Sequence, residues 1–401
     1  MLVMEMSKKE QQVPTIRFKG FTETWEQRKV RELFTVTRGQ VLAATRTKEK
    51  ETNNFIYPVY SSQTKNNGLM GFYDQYLFED AITWTTDGAN AGTVNFRKGK
   101  FYSTNVNGVL LSDEGFANNA VAEIINKIAW KHVSKVGNPK LMNNVMAEIT
   151  VAVPSIEEQN KLSSLFRQLD DTIALHQRKL SLLDQLKQAY LQKMFPNNGE
   201  IVPTLRIAGF TEPWEQRRLG DVAERVRGND GRMNLPTLTI SAGSGWLDQR
   251  ERFSGNIAGN EQQNYTLLSK GELSYNHGNS KLAKYGAVFT LRTFNEALVP
   301  RVYHSFRTNY FATADFIEFM FATKRPDSEL AKLVSSGARM DGLLNINYDD
   351  FMGIDIIIPK LEEQNRISNF LRRFDDTITL HRQKVSQLQA LKNSLLNKMF
   401  I

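Results

Sequence analysis

Two long stretches of the chain place apolar residues at alternating steps of four and three. The first runs through Leu162, Phe166, Leu169, Ile173, Leu180, Leu183, Tyr190 and Met194, with His176 and Lys187 as its polar members. The second repeats it with Ile367, Leu371, Phe374, Ile378, Val385, Leu388, Leu395 and Met399, and has His381 and Lys392 in the matching polar places. This is a heptad seam, which seeks a partner helix rather than a globular core. About 40 residues at 1.5 Å per residue make a helix of roughly 60 Å. Each stretch supplies the partner that the other needs. A chain leaving one end of such a helix must build a domain before it returns, so the two are expected to pair antiparallel within one molecule.

The flanks carry start and stop signals. Pro154 is followed by Ser155 and, three residues on, Glu158, the pattern of a capping box. The second copy keeps Pro359 and Glu363 but has Lys360 at the cap position, which predicts a less sharply fixed start. Pro196-Asn197-Asn198-Gly199 ends the first helix. Between the helices the pattern is short and mixed. Phe55–Tyr60, Ala81–Thr85, Gly92–Phe96, Leu235–Ile240 and Ala287–Leu291 read as strands, and Phe316–Ala322 and Leu330–Ser335 as helices. Turn-rich runs such as SSQTKNNG at 61–68 and NHGNSK at 276–281 separate them. The expected fold class is α+β: two pseudo-symmetric globular domains joined by a long antiparallel two-helix coiled coil.

A repeat fixes the order of these parts. VPTIRFKGFTETWEQR at 13–28 recurs as VPTLRIAGFTEPWEQR at 202–217, and the whole of 154–195 recurs at 359–400. The offsets are 189 and 205 residues, so the second intervening region is 16 residues longer. Residues about 29–153 and 218–358 are unlike each other. The expected division is a tail at 1–12, a first domain at 13–153, a helix at 154–195, a linker at 196–201, a second domain at 202–358 and a helix at 359–401. Trp25 and Trp214, shared by both copies, are expected to anchor each domain where it meets the helices.

Composition narrows the function. The net charge of +8 permits a polyanionic partner, and residues 225–301 hold ten basic against six acidic side chains. No cysteine is present, which removes disulfides, thiolate metal sites and a cysteine nucleophile. No apolar run reaches the length of a membrane span, and no secretory signal opens the chain, so a cytoplasmic location without membrane association is expected. No amino-methylation motif, Gly-rich cofactor loop or phosphate loop is found, and the five histidines lack metal-ligand spacing. No catalytic residues, metal or cofactor are assigned. Asp170-Asp171 and Asp375-Asp376 diverge by about 100° on a helix and make a poor paired-carboxylate site. A solvated face or a partner contact is the expectation for them.

The duplicated order of these motifs resembles the specificity subunits of type I restriction–modification systems. The residues that carry it are the W-E-Q-R segments ending at Arg28 and Arg217, the E-E-Q-N runs at 157–160 and 362–365, and the repeated D-D-T-I and K-M-F stretches. YPVYSSQTKNNGLMGFYD at 57–74 also resembles a common target-recognition type. The resemblance covers 13–400. It implies a non-catalytic chain that binds double-stranded DNA, each domain reading one half of a bipartite, asymmetric site. It further implies two methyltransferase (modification) subunits as partners and, through the complex, translocase–nuclease subunits.

Candidate DNA contacts are the polar and basic loop residues, because Asn/Gln suit adenine edges, Arg/Lys guanine edges, and Ser/Thr/Lys phosphates. In the first domain these are Ser62, Gln63, Thr64, Lys65, Asn66 and Asn67, with Arg97, Lys98 and Lys100 near them in sequence. In the second they are Arg250, Arg252, Asn276, His277, Asn279, Ser280, Lys281, Lys284 and Arg339. Each also fits an ordinary surface turn. Two other readings stay open: a single-chain methyltransferase or nuclease with diverged motifs, and a scaffold spacing two protein-binding modules.

Overall fold

The computed structural model describes residues 13–62, 65–250, 259–278, 280–334 and 343–401. The chain forms two compact units. One comprises residues up to Arg178 together with Gln383–Ile401, and the other comprises Lys179–Arg382.

The first unit opens with β1 (Glu26–Lys29), α1 (Val30–Leu33) and β2 (Thr35–Arg38). Strands β3 (Tyr57–Tyr60), β4 (Leu69–Tyr73), β5 (Phe78–Thr85), β6 (Val94–Ser103) and β7 (Asn107–Leu111) follow, and then α2 (Asn119–Ala129), α3 (Asn143–Glu148) and β8 (Thr150–Val153). One sheet runs in the order β2-β7-β5-β6-β3-β4. Its pairs are antiparallel except β3 with β6. Asn118 caps α2, its side-chain oxygen accepting from the Val121 N–H at 3.1 Å. The helix turns Val121 and Ile125 onto Ile82, Trp84 and Leu110 of the sheet. Trp84 fits only because residue 108 is glycine; a Cβ there would lie 2.1 Å from the indole. β1 pairs with β8, Glu26 opposite Val153, and β8 leads into the long helix α4 (Ile156–Met194).

The second unit repeats this frame around different contents. β9 (Glu215–Arg218) and α5 (Leu219–Val222) open it. β10 (Ala223–Arg225), β11 (Leu238–Ser241), β12 (Gly245–Asp248), β13 (Thr266–Ser269) and β14 (Leu273–Asn276) come next, followed by β15 (Ala287–Thr290), β16 (Glu296–Val299) and β17 (His304–Thr308). Helices α6 (Ala314–Ala322), α7 (Asp327–Leu333) and α8 (Tyr348–Met352) precede β18 (Asp355–Ile358) and the long helix α9 (Leu361–Met399). Here the sheet order is β10-β17-β14-β15, with separate ribbons β11–β12 and β13–β16. β9 pairs with β18, Glu215 opposite Ile358, as β1 pairs with β8. Tyr275 stacks on Phe351 in the core, ring centroids 4.3 Å apart.

Each long helix gives one stretch to each unit, and within each unit the two stretches run antiparallel. In the first, Phe166 meets Phe400 (5.4 Å) and Asp170 meets Lys392 (2.7 Å). In the second, Tyr190 meets Phe370 (4.9 Å) and Lys187 pairs with Asp375. The first aspartate of each Asp-Asp pair is thus neither solvated nor reserved for a partner protein. It neutralises the lysine that interrupts the apolar seam of the opposite helix.

The repeated segments act as clamps. Arg17 grips Glu158 in the first turn of α4 through two bonds of 2.7 and 2.8 Å, and Arg206 grips Glu363 of α9 through two of 2.8 Å. Both glutamates are buried. Ser155 does accept from the Glu158 N–H, at 3.4 Å, but the Glu158 carboxylate is committed to Arg17, so the capping box is only half formed. Gly20 and Gly209 turn the chain between clamp and strand with φ of +100° and +97°, a region that penalises a side chain. Trp25 and Trp214 are buried against Phe400 and Phe195 at 6.2 and 5.9 Å, which anchors each domain to a helix end.

Candidate nucleic-acid interface

In the first unit the 61–68 run is the tip of the β3–β4 hairpin. Ser61 donates its N–H to the Gly68 carbonyl at 2.9 Å, closing the loop. Asn66 and Asn67 both take left-handed backbone angles (φ 50° and 53°). Asparagine tolerates that region better than other non-glycine residues, and here the turn holds both side chains exposed. The root of the hairpin is pinned by β6: Thr104 donates its N–H to the Tyr60 carbonyl (2.9 Å) and its hydroxyl to Ser61 Oγ (3.0 Å).

Arg97 requires a correction. It is not a surface contact but is 7% exposed, with its guanidinium carbon 3.8 Å from the Tyr60 ring centroid and its Nε donating to Thr83 Oγ1 at 3.0 Å. Burial lowers its pKa to about 10, which still leaves it cationic at neutral pH. It supports the hairpin root from beneath. Lys98 and Lys100 flank Gly99, whose N–H donates to Asp80 Oδ1 at 2.7 Å. Both lysines are exposed, but they sit further back along β6 than the Ser103 end that adjoins the tip. Lys100 lies 4.7 Å over the Tyr76 ring, and hydrogen bonding to Tyr76 raises its ammonium above the usual lysine range. Tyr57 packs on Tyr76 at 5.0 Å. This Tyr57–Tyr76–Lys100 cluster was not foreseen from sequence, because its members are separated by two strands.

In the second unit the 276–286 loop joins β14 to β15 and faces the β11–β12 turn. Ile240, Ser241, Ala242 and Gly243 on one side, and Gly278, Ser280 and Lys281 on the other, line a cavity of about 430 Å³. Ser280, Lys281 and Lys284 are exposed. The two lysines make no ion pair among the described residues, so the loop presents uncompensated positive charge. Asn276 is half-buried and committed: its amide donates to the Ile240 carbonyl (3.3 Å) and its oxygen accepts from the Gly278 N–H (3.1 Å). Arg250 is exposed but paired with Asp248 at 2.8 Å, which lowers the Asp248 carboxyl pKa. His277 requires the same correction as Arg97. It is 7% exposed, and both ring nitrogens lie at backbone carbonyls. Gln63, Thr64, Arg252, Asn279 and Arg339, and the Lys65 side chain, lie outside the described residues.

Among the described residues no three His, Cys, Asp or Glu side chains gather as metal ligands would, and no helix is long and apolar enough to cross a membrane. The geometry instead offers two polar, basic loop surfaces of unlike sequence, each mounted on the same clamp. A family model described as "Type I restriction modification DNA specificity domain" matches residues 22–185 and 248–390, one match in each half of the repeat. The chain belongs to this family.

Relatives agree with that membership. A Mycoplasma pneumoniae chain described as a "putative type I specificity subunit" N-terminus is 36% identical over 140 residues, covering 34% of this chain and 73% of the relative. The specificity subunit of a type I restriction enzyme from Methanocaldococcus jannaschii is 20% identical over 401 residues, covering 94% of this chain and 92% of the relative. Another M. pneumoniae specificity subunit is matched over only 43% of its own length. Among solved structures, the S subunit of a type I restriction–modification system from M. genitalium superposes with a TM-score of 0.67 at 13% identity, covering 97% of this chain and 99% of that one. That likeness establishes a shared fold.

Proposed function

We propose that this specificity chain is the non-catalytic, DNA-reading component of a methyltransferase–restriction assembly, each unit reading one half of a bipartite double-stranded target. One observation carries the reading: the clamps and helix ends are duplicated residue for residue, whereas the loops they present are unrelated. A chain that reads two different sequences for one shared machinery needs this division. In the first unit Ser62, Asn66 and Asn67 contact the target, with Lys98 and Lys100 serving the phosphate backbone. In the second, Ser280, Lys281 and Lys284 do so. The repeated surfaces dock two copies of a methyltransferase subunit, which supplies cofactor and chemistry and brings the translocase–nuclease subunits with it. The helices serve as the spacer between half-sites.

The test is methylation mapping in a host that carries the chain with its methyltransferase subunit, before and after exchange of residues 30–153 for another first-position domain. A two-part methylated target is expected, and the exchange should alter one half only. Alteration of both halves, or methyl transfer by the purified chain alone, would overturn the reading.

A further inference from the structure

The second unit holds a stacked histidine pair at the base of its loop. His277 Nδ1 lies 2.7 Å from the Leu344 carbonyl oxygen, and its Nε2 lies 2.8 Å from the Val302 carbonyl oxygen. Both partners are acceptors only. A neutral imidazole has one N–H and one lone pair, so it can satisfy one carbonyl and must aim its lone pair at the other. The imidazolium has two N–H groups and satisfies both. The backbone joins in, because Leu344 donates its N–H to the His277 carbonyl at 2.9 Å, and Gly278 bridges to Leu343.

The neighbouring groups favour a single positive charge on this pair. His304 of β17 stacks on His277 with ring centroids 4.9 Å apart and planes 12° apart. Its Nε2 lies 2.9 Å from the Ile346 carbonyl, which one N–H satisfies. Burial first, and then the charges of His277 and Arg225, lower the His304 pKa to about 4, so this ring is neutral at neutral pH. Tyr275 of β14 faces His277 at 6.0 Å, and burial raises its phenol well above the usual range. Tyr348 of α8 stands edge-on to His304 at 5.7 Å, with Arg225 of β10 above it at 4.2 Å. Asp327 of α7 acts on Tyr275. A carboxylate is therefore not what stabilises the His277 cation; the two carbonyl dipoles and the neutral ring do so.

We propose that His277 is a positioning residue of the second recognition surface: as an imidazolium it staples the backbone at 302 and 344 to the 276–284 loop, and reading by this unit fails as rising pH removes its proton. The proposal rests on the DNA-reading role given above. The sign follows from the geometry. The stapled loop favours the protonated ring, so the staple is present at lower pH and is lost as pH rises. The first unit has no counterpart among its described residues and serves as the internal control.

The experiment uses the full chain with its methyltransferase subunit, on the target found by methylation mapping and on duplexes scrambled in one half. Affinity for each half is followed from pH 6 to pH 9. Discrimination at the second half should fall about tenfold with rising pH, the effect of losing one charge-assisted hydrogen bond, while the first half stays flat. His277→Gln should lower discrimination at the second half and abolish its pH dependence. Parallel profiles at both halves, or an unchanged profile in His277→Gln, would overturn the proposal. Nitrogen-15 imidazole spectra of the free chain separate this idea from the DNA-reading role: two protonated nitrogens on His277 at neutral pH are expected, and a neutral ring would sink the staple whatever the chain binds.

Discussion

Ile16 donates its backbone N–H to the carbonyl of Lys398 at 2.9 Å, and the same bond recurs from Leu205 to Lys193 at 2.8 Å. Each common segment thereby seals the last turn of a long helix, whose final carbonyls would otherwise lack donors. Basic side chains complete the seal: Lys127 reaches the Phe400 carbonyl at 2.7 Å, and Arg325 bonds the Pro196 and Gln192 carbonyls. In the first unit the sealed helix end lies nearly 400 positions from the segment that seals it. Phe400→Ala should therefore strip packing from Trp25 and Phe166 and destabilise the first unit by about 3–5 kcal/mol. Phe195→Ala should do the same to the second. Unfolding monitored separately in each unit checks this; a Phe400→Ala effect confined to the second unit would refute it.

The clamp glutamates make a sharper test of stability. Glu158 is 1% exposed, so Glu158→Gln leaves the Arg17 guanidinium facing a neutral amide in a buried site. A loss of about 3 kcal/mol is expected in the first unit. Double substitution of Arg17 and Glu158 by apolar residues of similar volume should recover part of it. A double-mutant cycle in chemical denaturation measures the coupling, and coupling near zero would mean that the clamp contributes nothing to stability.

The hairpin tip separates fold from recognition. Asn66→Gly with Asn67→Gly keeps both left-handed residues free of strain while removing their side chains. Unfolding should be unchanged, and affinity for the first half-site should fall tenfold or more, as loss of base-edge contacts implies. Replacing both by alanine should also cost roughly 1–2 kcal/mol per residue in stability. Binding to half-scrambled duplexes, alongside thermal unfolding, distinguishes the two effects. Full recognition by the glycine variant would remove these asparagines from the interface.

Acid should weaken the second unit through His304. Its folded pKa of about 4 lies below the ordinary 6.5, so the unfolded chain takes up a proton that the folded one refuses. Stability present above pH 6.5 is lost as pH falls toward 4, by up to about 3 kcal/mol. His304→Phe should flatten that slope. A slope that persists in the variant would assign the acid sensitivity to another group.

Across the helices, Lys392→Asp should bring two carboxylates together with Asp170, and adding Asp170→Lys should restore the attraction. The pair is partly exposed, with Asp170 45% accessible, so a change of about 0.5–1 kcal/mol is expected. Failure of the double swap to recover stability would mean that the lysine is held by its stem rather than by its charge.

Period and repetition made the frame legible from sequence. The seam predicted both helices, and alternation found β5 and β15 to within a few residues, because these elements announce themselves through local spacing. The side chains of the recognition surfaces were less legible. Arg97 and His277 look like loop contacts in sequence, since both are polar residues in turn-rich or basic stretches. What buries them is tertiary: Tyr60 from another strand in one case, and the Val302 and Leu344 carbonyls in the other. Asp170 and Asp375 were misread for the same reason, their lysine partners lying 222 and 188 positions away. Lys281 and Lys284, which no distant residue claims, remain on the surface where the sequence put them.

The sharing of helices also imposes a timetable on synthesis. Residues 179–382 are consecutive, so the second unit has all its parts as soon as that stretch has left the ribosome. The first unit must wait. Its variable region is translated early, yet Trp25, Phe166 and Asp170 lack their partners until Lys392 and Phe400 have emerged. A nascent chain therefore spends most of its elongation with the first core open, exposed to chaperones and proteases. Translation halted after Arg382 would release a product that carries every residue of the first reading loop but not the helix that closes its core. Residues 383–401 thus serve as a completion signal, ensuring that the first half of the target is read only by chains finished through Phe400.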